Sequence, residues 1–170
     1  AEAGVNHNGD ISLAHKLIDA AVEVGADIIK FQSFTSSLIA TSFAIKTQYQ
    51  IENTPVNESQ REMLSKLELD LDAHKELIKH CETVGIEFLS TAFDDKSIEM
   101  LSKLKLKRIK IPSGEITNLP YIRKICDGEK PVILSTGMSN LEDIKIALRE
   151  IKKSGIKNSE ITVLHCSSEY

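Results

Sequence analysis

Gly25-Ala26-Asp27-Ile28-Ile29-Lys30-Phe31-Gln32 carries the argument for the fold. A glycine stands where a left-handed residue ends a helix. A short apolar run without alternation follows, as expected of a strand buried on both faces. The run then stops at residues able to hold an anion. The same order recurs along the chain. Glu87–Leu89 ends in Ser90-Thr91, and Arg108–Ile111 ends in Pro112-Ser113-Gly114-Glu115. Val132–Leu134 ends in Ser135-Thr136-Gly137, and Ile161–Leu164 ends in His165-Cys166-Ser167-Ser168. Each run follows a helical stretch. Alternating strand and helix is the signature of parallel α/β architecture. In a barrel of parallel strands such ends face one mouth, where two lysines, several hydroxyls, a carboxylate and an imidazole are expected to converge.

The helices are read from spacing. Leu13, Leu17, Ala20, Ala21 and Val24 make an apolar stripe ahead of Gly25. Leu77, Ile78, Cys81 and Val84 make another over 72–84, with Asp72 as its cap and Gly85 as its stop. Asp94 caps a helix carrying Ile98, Leu101 and Leu104. Ser139-x-x-Glu142 reads as a capping box before Ile144, Leu148 and Ile151. The stretch from Ser33 to Leu69 is too long for an ordinary connection and reads as a functional excursion, with a helix near 59–67. A first short strand, Glu2 to Val5, precedes the turn Asn6-His7-Asn8-Gly9-Asp10. The sum is six βα units. A closed (β/α)8 barrel needs eight and typically about 250 residues. The expected fold is therefore a TIM barrel of which residues 1–170 supply the first six units, the chain being an excerpt that does not open with methionine.

Composition narrows the class. Hydrophobic residues at 41% and charged residues at 27% match a soluble globular domain. A net charge of −4 without a basic stripe argues against nucleic acid and anionic membranes as partners. No apolar run approaches the roughly 20 residues of a membrane span, and no secretory leader is apparent. Cys81, Cys126 and Cys166 are widely spaced, which suits a reducing cytoplasm and not a disulfide framework or zinc site.

Lys30 and Lys110, on strands, read either as ion-paired with a barrel carboxylate such as Glu2 or Glu115, or as an anion clamp or Schiff-base amine. Thr91, Ser113, Ser135 and Thr136 offer hydroxyls, and the small residues around them let backbone N–H groups approach an oxyanion. Glu115 reads either as a proton-transfer group or as a helix-capping charge, and Glu2 likewise. His165 reads as a metal ligand, a general acid or, as is commoner for a lone histidine, a packed polar residue, and His7 as satisfying local backbone groups; His15, His74 and His80 read as surface or boundary residues. No zincin, P-loop or dinucleotide motif is present.

These motifs together resemble the sialic acid synthase family, in its barrel portion. The residues that carry the likeness are Ala1-Glu2-Ala3-Gly4-Val5-Asn6-His7-Asn8-Gly9-Asp10, Gly25 to Gln32, Glu58-Ser59-Gln60 and Phe88-Leu89-Ser90-Thr91-Ala92-Phe93-Asp94. Lys110-Ile111-Pro112-Ser113-Gly114-Glu115, Ile133 to Met138 and Leu164-His165-Cys166-Ser167-Ser168-Glu169-Tyr170 continue it over the whole chain. The likeness is nearer to the N-acetylneuraminate and legionaminate synthases than to the pseudaminate branch.

The resemblance implies a (β/α)8 barrel followed by an antifreeze-like C-terminal domain outside this chain. It implies a cytoplasmic, homodimeric transferase of sialic acid biosynthesis. Such enzymes condense phosphoenolpyruvate with an N-acetylmannosamine-type sugar and release phosphate. Lys30, Thr91, Lys110, Ser113 and Ser135 would hold phosphoenolpyruvate. Ser168 falls where some members have asparagine in that group. Gln32 and Tyr170 would contact the sugar, and Glu115 and Glu2 would be the catalytic carboxylates. Ala92 stands where many members have proline. A divalent manganese or magnesium ion is implied, with ligands on later strands outside this chain, so residues 1–170 alone are expected to be inactive. Two rival readings remain: a Schiff-base aldolase on the same barrel, and a non-catalytic sugar-phosphate-binding module.

Overall fold

The computed structural model describes residues 1–55 and 57–167 and divides into two compact units, Ala1–Phe88 and Leu89–Tyr170. The expected alternation is present in both; the first strand pairs with the second in parallel, as do the fourth with the fifth and the fifth with the sixth.

The first unit opens with β1 (Glu2–Gly4) and the turn that leads to α1 (Ile11–Glu23). Asp10 caps α1, its carboxylate accepting from the Ser12 and Leu13 amides. Gly25 follows at φ +77°, the left-handed conformation expected of it. β2 is Ile28–Ser33. The excursion then folds into α2 (Ser36–Ile39), α3 (Gln48–Asn53) and α4 (Gln60–Ser65) before α5 (Leu71–Val84) and β3 (Glu87–Ala92). The sheet order is β1-β2-β3, with β3 starting in this unit where the Glu87 amide donates to the Asp27 carbonyl at 3.1 Å.

The face that α1 buries is Ala14, Ile18 and Ala21; Val24, expected in the stripe, is 80% exposed. The difference is one residue of helical phase. Leu13 and Leu17 are half-buried beside that face. α5 lies against α1 and buries Leu77, Cys81 and His74. Its cap is Asp70, not Asp72, so the helix starts a little earlier than expected. The ring of Phe31 stacks on that of Phe88 with centroids 5.4 Å apart. Gly9 is fixed by space as well as by φ +76°: a Cβ there would lie 2.2 Å from the Lys66 carbonyl oxygen.

The second unit contains α6 (Asp95–Ser102), β4 (Ile109–Ile111), a 3-10 turn at Ser113–Glu115, α7 (Leu119–Ile125), β5 (Val132–Ser135), α8 (Leu141–Lys153) and β6 (Ile161–Leu164). Its sheet order is β4-β5-β6. Ile111, Ile122, Val132, Leu134, Ala147 and Ile151 are all at most 1% exposed and form its core. Asp94 caps α6 as expected. The capping box of α8 is Asn140 with Asp143, one residue beyond the Ser139–Glu142 pair that the sequence suggests. α7, capped by Asn118, was not legible as an element. It is short, and a proline occupies its first turn.

Candidate functional site

In the first unit the β1–β2 register sets Glu2 opposite Lys30. Side chains of neighbouring residues in a parallel pair project to the same face, so acid and amine meet. Lys30 Nζ lies 2.5 Å from Glu2 Oε2, with the two side chains 17% and 41% exposed. Of the two possibilities open for Lys30, the ion pair with Glu2 is thus formed. Along β2, Ile29, Phe31 and Ser33 are buried, whereas Lys30 and Gln32 are half-buried on the other face. The alternation puts both polar residues on one side of the carboxyl-terminal half of the strand.

Behind that strand end lies a buried polar pair. The Ser33 hydroxyl is 2.6 Å from His74 Nε2, and His74 Nδ1 is 2.7 Å from the Asp70 carbonyl oxygen. The carbonyl accepts only, so Nδ1 carries the proton and Nε2 accepts from Ser33. His74 is completely buried, contrary to its expected place at the surface or boundary, because the pair satisfies both ring nitrogens. His7 is also completely buried. Its Nδ1 accepts from the Gly9 amide at 3.0 Å, as the local-bonding reading of the turn expects, while Nε2 has no partner. Burial holds both imidazoles below their ordinary range, aided at His7 by the proximity of His74. His15 and His80 pair at the surface with Glu76 and Asp19, at 2.9 and 2.6 Å.

In the second unit Lys110 is 7% exposed and Ser135 is 8% exposed. The register pairs Lys110 with Ile133, so Ser135 stands two residues further on, on the same face. Lys110 Nζ donates to Ser135 Oγ at 2.5 Å and to the Ile111 carbonyl at 3.2 Å. An ammonium and a hydroxyl are therefore held together at the carboxyl ends of adjacent parallel strands. Thr136 fixes the next turn, donating to the Leu164 carbonyl from its amide at 3.2 Å and from its hydroxyl at 2.8 Å. Burial works to raise the Cys166 thiol. The amides of Thr136 and Gly137, the Ser135 hydroxyl and the Lys110 ammonium outweigh it and hold the thiol below its usual range.

Thr91 is 1% exposed and its hydroxyl has no partner. Ser113 begins the 3-10 turn that follows β4, and Glu115 ends it. Glu115 Oε2 accepts from Asn118 Nδ2 at 2.7 Å, so the carboxylate engages the residue that caps α7. The cap of α7 is thus Asn118 and not Glu115, which contacts the capping side chain. Tyr121, from α7, donates its hydroxyl to the Ala92 carbonyl at 2.6 Å and so ties the helix to the end of β3. A cavity of about 330 Å³ runs among α6, α7 and β4; its lining includes Lys110 but neither Ser135 nor Glu115. Ser168 and Tyr170 lie outside the described residues.

Sequence reasoning did not single out Cys166, Asn118 or Tyr121 for a role. Asn118 and Tyr121 sit on the element that was not legible, and Cys166 gains interest only from the donors folded around it. Among the described residues no three His, Cys, Asp or Glu side chains are grouped to hold a metal ion, and no helix is long and apolar enough to cross a membrane.

Residues 17–170 match the family model described as the NeuB family. The N,N'-diacetyllegionaminic acid synthase of Campylobacter jejuni is 55% identical over 170 residues, which is all of this chain and 51% of that protein. The protein of that name from Legionella pneumophila is 44% identical over all of this chain and 48% of its own length. The crystal structure of an N-acetylneuraminic acid synthetase from Leptospira borgpetersenii, in complex with citrate, superimposes with a TM-score of 0.82 at 29% identity, covering 100% of this chain and 54% of that one. The α/β fold with parallel strands, six strands of a TIM-barrel-like chain among the described residues, is thus the fold of its structural neighbours. The chain spans about half the length of the curated relatives it matches.

Proposed function

Because this chain belongs to the NeuB family, we propose that the full-length protein condenses phosphoenolpyruvate with an N-acetylated amino sugar to give a nonulosonic acid and phosphate. The observation that carries the reading is the buried Lys110–Ser135 pair at the carboxyl ends of β4 and β5. A desolvated ammonium with a hydroxyl beside it is suited to a dense anion, since charge-assisted hydrogen bonds are roughly twice as strong as neutral ones. The acceptor sugar is a diacetamido compound, supported by the names of the relatives at 55% and 44% identity.

In this reading Lys110, Ser113 and Ser135 bind the phosphate and carboxylate, and the unpartnered hydroxyl of Thr91 finds its acceptor there. Lys30, ion-paired with Glu2 in the first unit, keeps the anion-binding role that the likeness implies. Gln32 faces the sugar. C3 of phosphoenolpyruvate attacks the aldehyde carbon of the open-chain sugar, whose oxygen takes up a proton. Positive charge develops at C2, and water adds there. Glu115 accepts the proton of that water. The tetrahedral intermediate then breaks the bond from C2 to the phosphate oxygen, expels phosphate and leaves the keto acid. Ser168 and Tyr170 keep the roles the likeness implies, as further anion and sugar contacts. A divalent metal would polarise the aldehyde. The described residues do not fit one, and no step here is routed through it. The full-length protein acts in the cytoplasm as a homodimer; three free cysteines suit a reducing compartment.

The test uses the full-length protein with phosphoenolpyruvate and either N-acetylmannosamine or its 2,4-diacetamido-trideoxy relative. Phosphate release that depends on sugar, and favours the diacetamido compound, is expected. Borohydride treatment with pyruvate should leave no adduct. A trapped adduct would establish the aldolase instead, and phosphate release indifferent to any sugar would end the reading.

A further inference from the structure

Gln32 stands on β2 between two residues that are held from the opposite face. The Ser33 hydroxyl donates to His74 Nε2 at 2.6 Å, and both residues are completely buried. Phe31, also completely buried, stacks on Phe88, and the Phe88 and His74 rings meet edge to face with centroids 6.0 Å apart. His74 is itself locked, since its Nδ1 donates at 2.7 Å to the carbonyl of Asp70, the cap of α5. Successive side chains of a strand point to opposite faces, so holding residues 31 and 33 on one face sets the direction of residue 32 on the other. On that other face Gln32 reaches over Gly4. A Cβ on Gly4 would lie 3.7 Å from Gln32 Nε2 and 3.3 Å from Glu2 Oε1. Gly4 has φ +54° where the β1–β2 register shifts, and such an irregularity re-aims the side chains around it. The carboxamide of Gln32 and the carboxylate of Glu2 thus share one bare point of backbone.

We infer that His74 is a positioning residue: through Ser33 and Phe88 it fixes the direction in which Gln32 presents its carboxamide over Gly4, and so governs affinity for the amino sugar without touching it. The inference rests on the assignment of Gln32 to the sugar in the preceding reading. A carboxamide carries a donor and an acceptor at fixed places, and its bonds weaken steeply when they are misaligned. A small displacement of β2 at this point therefore costs sugar contacts. The bond between Lys110 and Ser135 involves none of these residues, so the anion should be bound as before.

The full-length protein is compared with its His74→Leu, Ser33→Ala and Ser33→Thr variants, varying the diacetamido sugar and phosphoenolpyruvate in turn. His74→Leu keeps an apolar side chain in the space and removes the acceptor; Ser33→Ala removes only the donor. Each should raise KM for the sugar roughly 2- to 13-fold, the loss of one ordinary hydrogen bond, and leave KM for phosphoenolpyruvate within about twofold. Ser33→Thr keeps the hydroxyl and should stay near the parent. The carboxamide itself is followed by nuclear magnetic resonance of protein containing glutamine labelled with heavy nitrogen, the Gln32 side-chain signal being the one lost in Gln32→Ala. That signal should move in His74→Leu and in Ser33→Ala. An unmoved Gln32 signal would overturn the inference. So would equal losses for both substrates, the mark of a general loosening, or a sugar KM that rises in Gln32→Ala and in neither of the other two. A moved signal with sugar KM unchanged in all three would take Gln32 out of the sugar site, sinking that part of the preceding reading while its positioning by His74 stands.

Discussion

Lys110→Met isolates the group on which the anion site turns. Methionine keeps most of the stem and removes the ammonium. Lys110 is 7% exposed, and its Nζ is held at 2.5 Å from Ser135 Oγ and 3.2 Å from the Ile111 carbonyl, so the charge is presented in fixed geometry and largely without water. A hydrogen bond to a charged group contributes about 1.5–3 kcal/mol. Each 1.4 kcal/mol is about tenfold in affinity. Loss of one such bond to phosphoenolpyruvate therefore predicts a roughly 10- to 150-fold weaker affinity. Stability should change less, because the substitution also removes the cost of burying a cation. The assay is phosphate release by the full-length variant at saturating sugar and varied phosphoenolpyruvate. A direct binding titration belongs beside it, since KM equals Kd only when chemistry is slow against substrate dissociation. Circular dichroism and a thermal melt report whether the variant is folded. A folded variant whose affinity for phosphoenolpyruvate stays within about twofold of the parent would refute the reasoning, because Lys110 would then not face the anion.

Three further outcomes follow from particular contacts. Thr91→Val removes a buried hydroxyl that has no partner, so thermal stability should hold or rise, by up to about 1 kcal/mol, while affinity for phosphoenolpyruvate falls; a drop in stability with affinity intact would contradict its assignment. Tyr121→Phe leaves the Ala92 carbonyl without its donor in a buried setting, which should cost about 1–3 kcal/mol in urea denaturation of the protein; an unchanged midpoint would count against that bond. The pH dependence of the first unit has a definite sign. His7 and His74 are held neutral by burial, so as pH falls below the ordinary imidazole value of 6.5 the unfolded chain takes up protons that the folded chain does not. Stability should be at its plateau above 6.5 and decline below it, by at most about 1.4 kcal/mol per pH unit per histidine, until the depressed folded-state values are reached. Urea titrations of His74→Gln should show a shallower decline than the parent, and identical slopes would show that His74 is not the group involved.

Much of this architecture is written locally. Ile28-Ile29 flanked by Gly25 and Lys30, or Val132–Leu134 ahead of Ser135, carry their strand identity and their polar ends in adjacent residues, and Gly25 and Gly85 mark helix ends that the structure confirms at φ +77° and +82°. Contacts that depend on register are not legible in this way. Lys30 had two candidate carboxylates, and only the β1–β2 register selects Glu2. His74 reads as a boundary residue on an amphipathic helix until Ser33 and the Asp70 carbonyl are seen to satisfy both its nitrogens. The α8 cap shifted by one position because Ser139–Glu142 and Asn140–Asp143 have the same spacing and the same chemistry. Of the candidate site, the residue types at the strand ends were visible in the sequence. That Lys110 meets Ser135 and that Glu115 engages Asn118 were not, since each is decided by a residue at least three positions away.

The central claim is a condensation in which water attacks C2 of phosphoenolpyruvate and phosphate leaves with the bridging oxygen. Phosphoenolpyruvate carrying heavy oxygen at that bridge, turned over by the full-length protein with the diacetamido sugar, tests it directly by mass spectrometry of the products. The account predicts that all the label departs in inorganic phosphate and none stays in the nine-carbon acid. Label retained on C2 of the product, or phosphate formed without any sugar consumed, would contradict it.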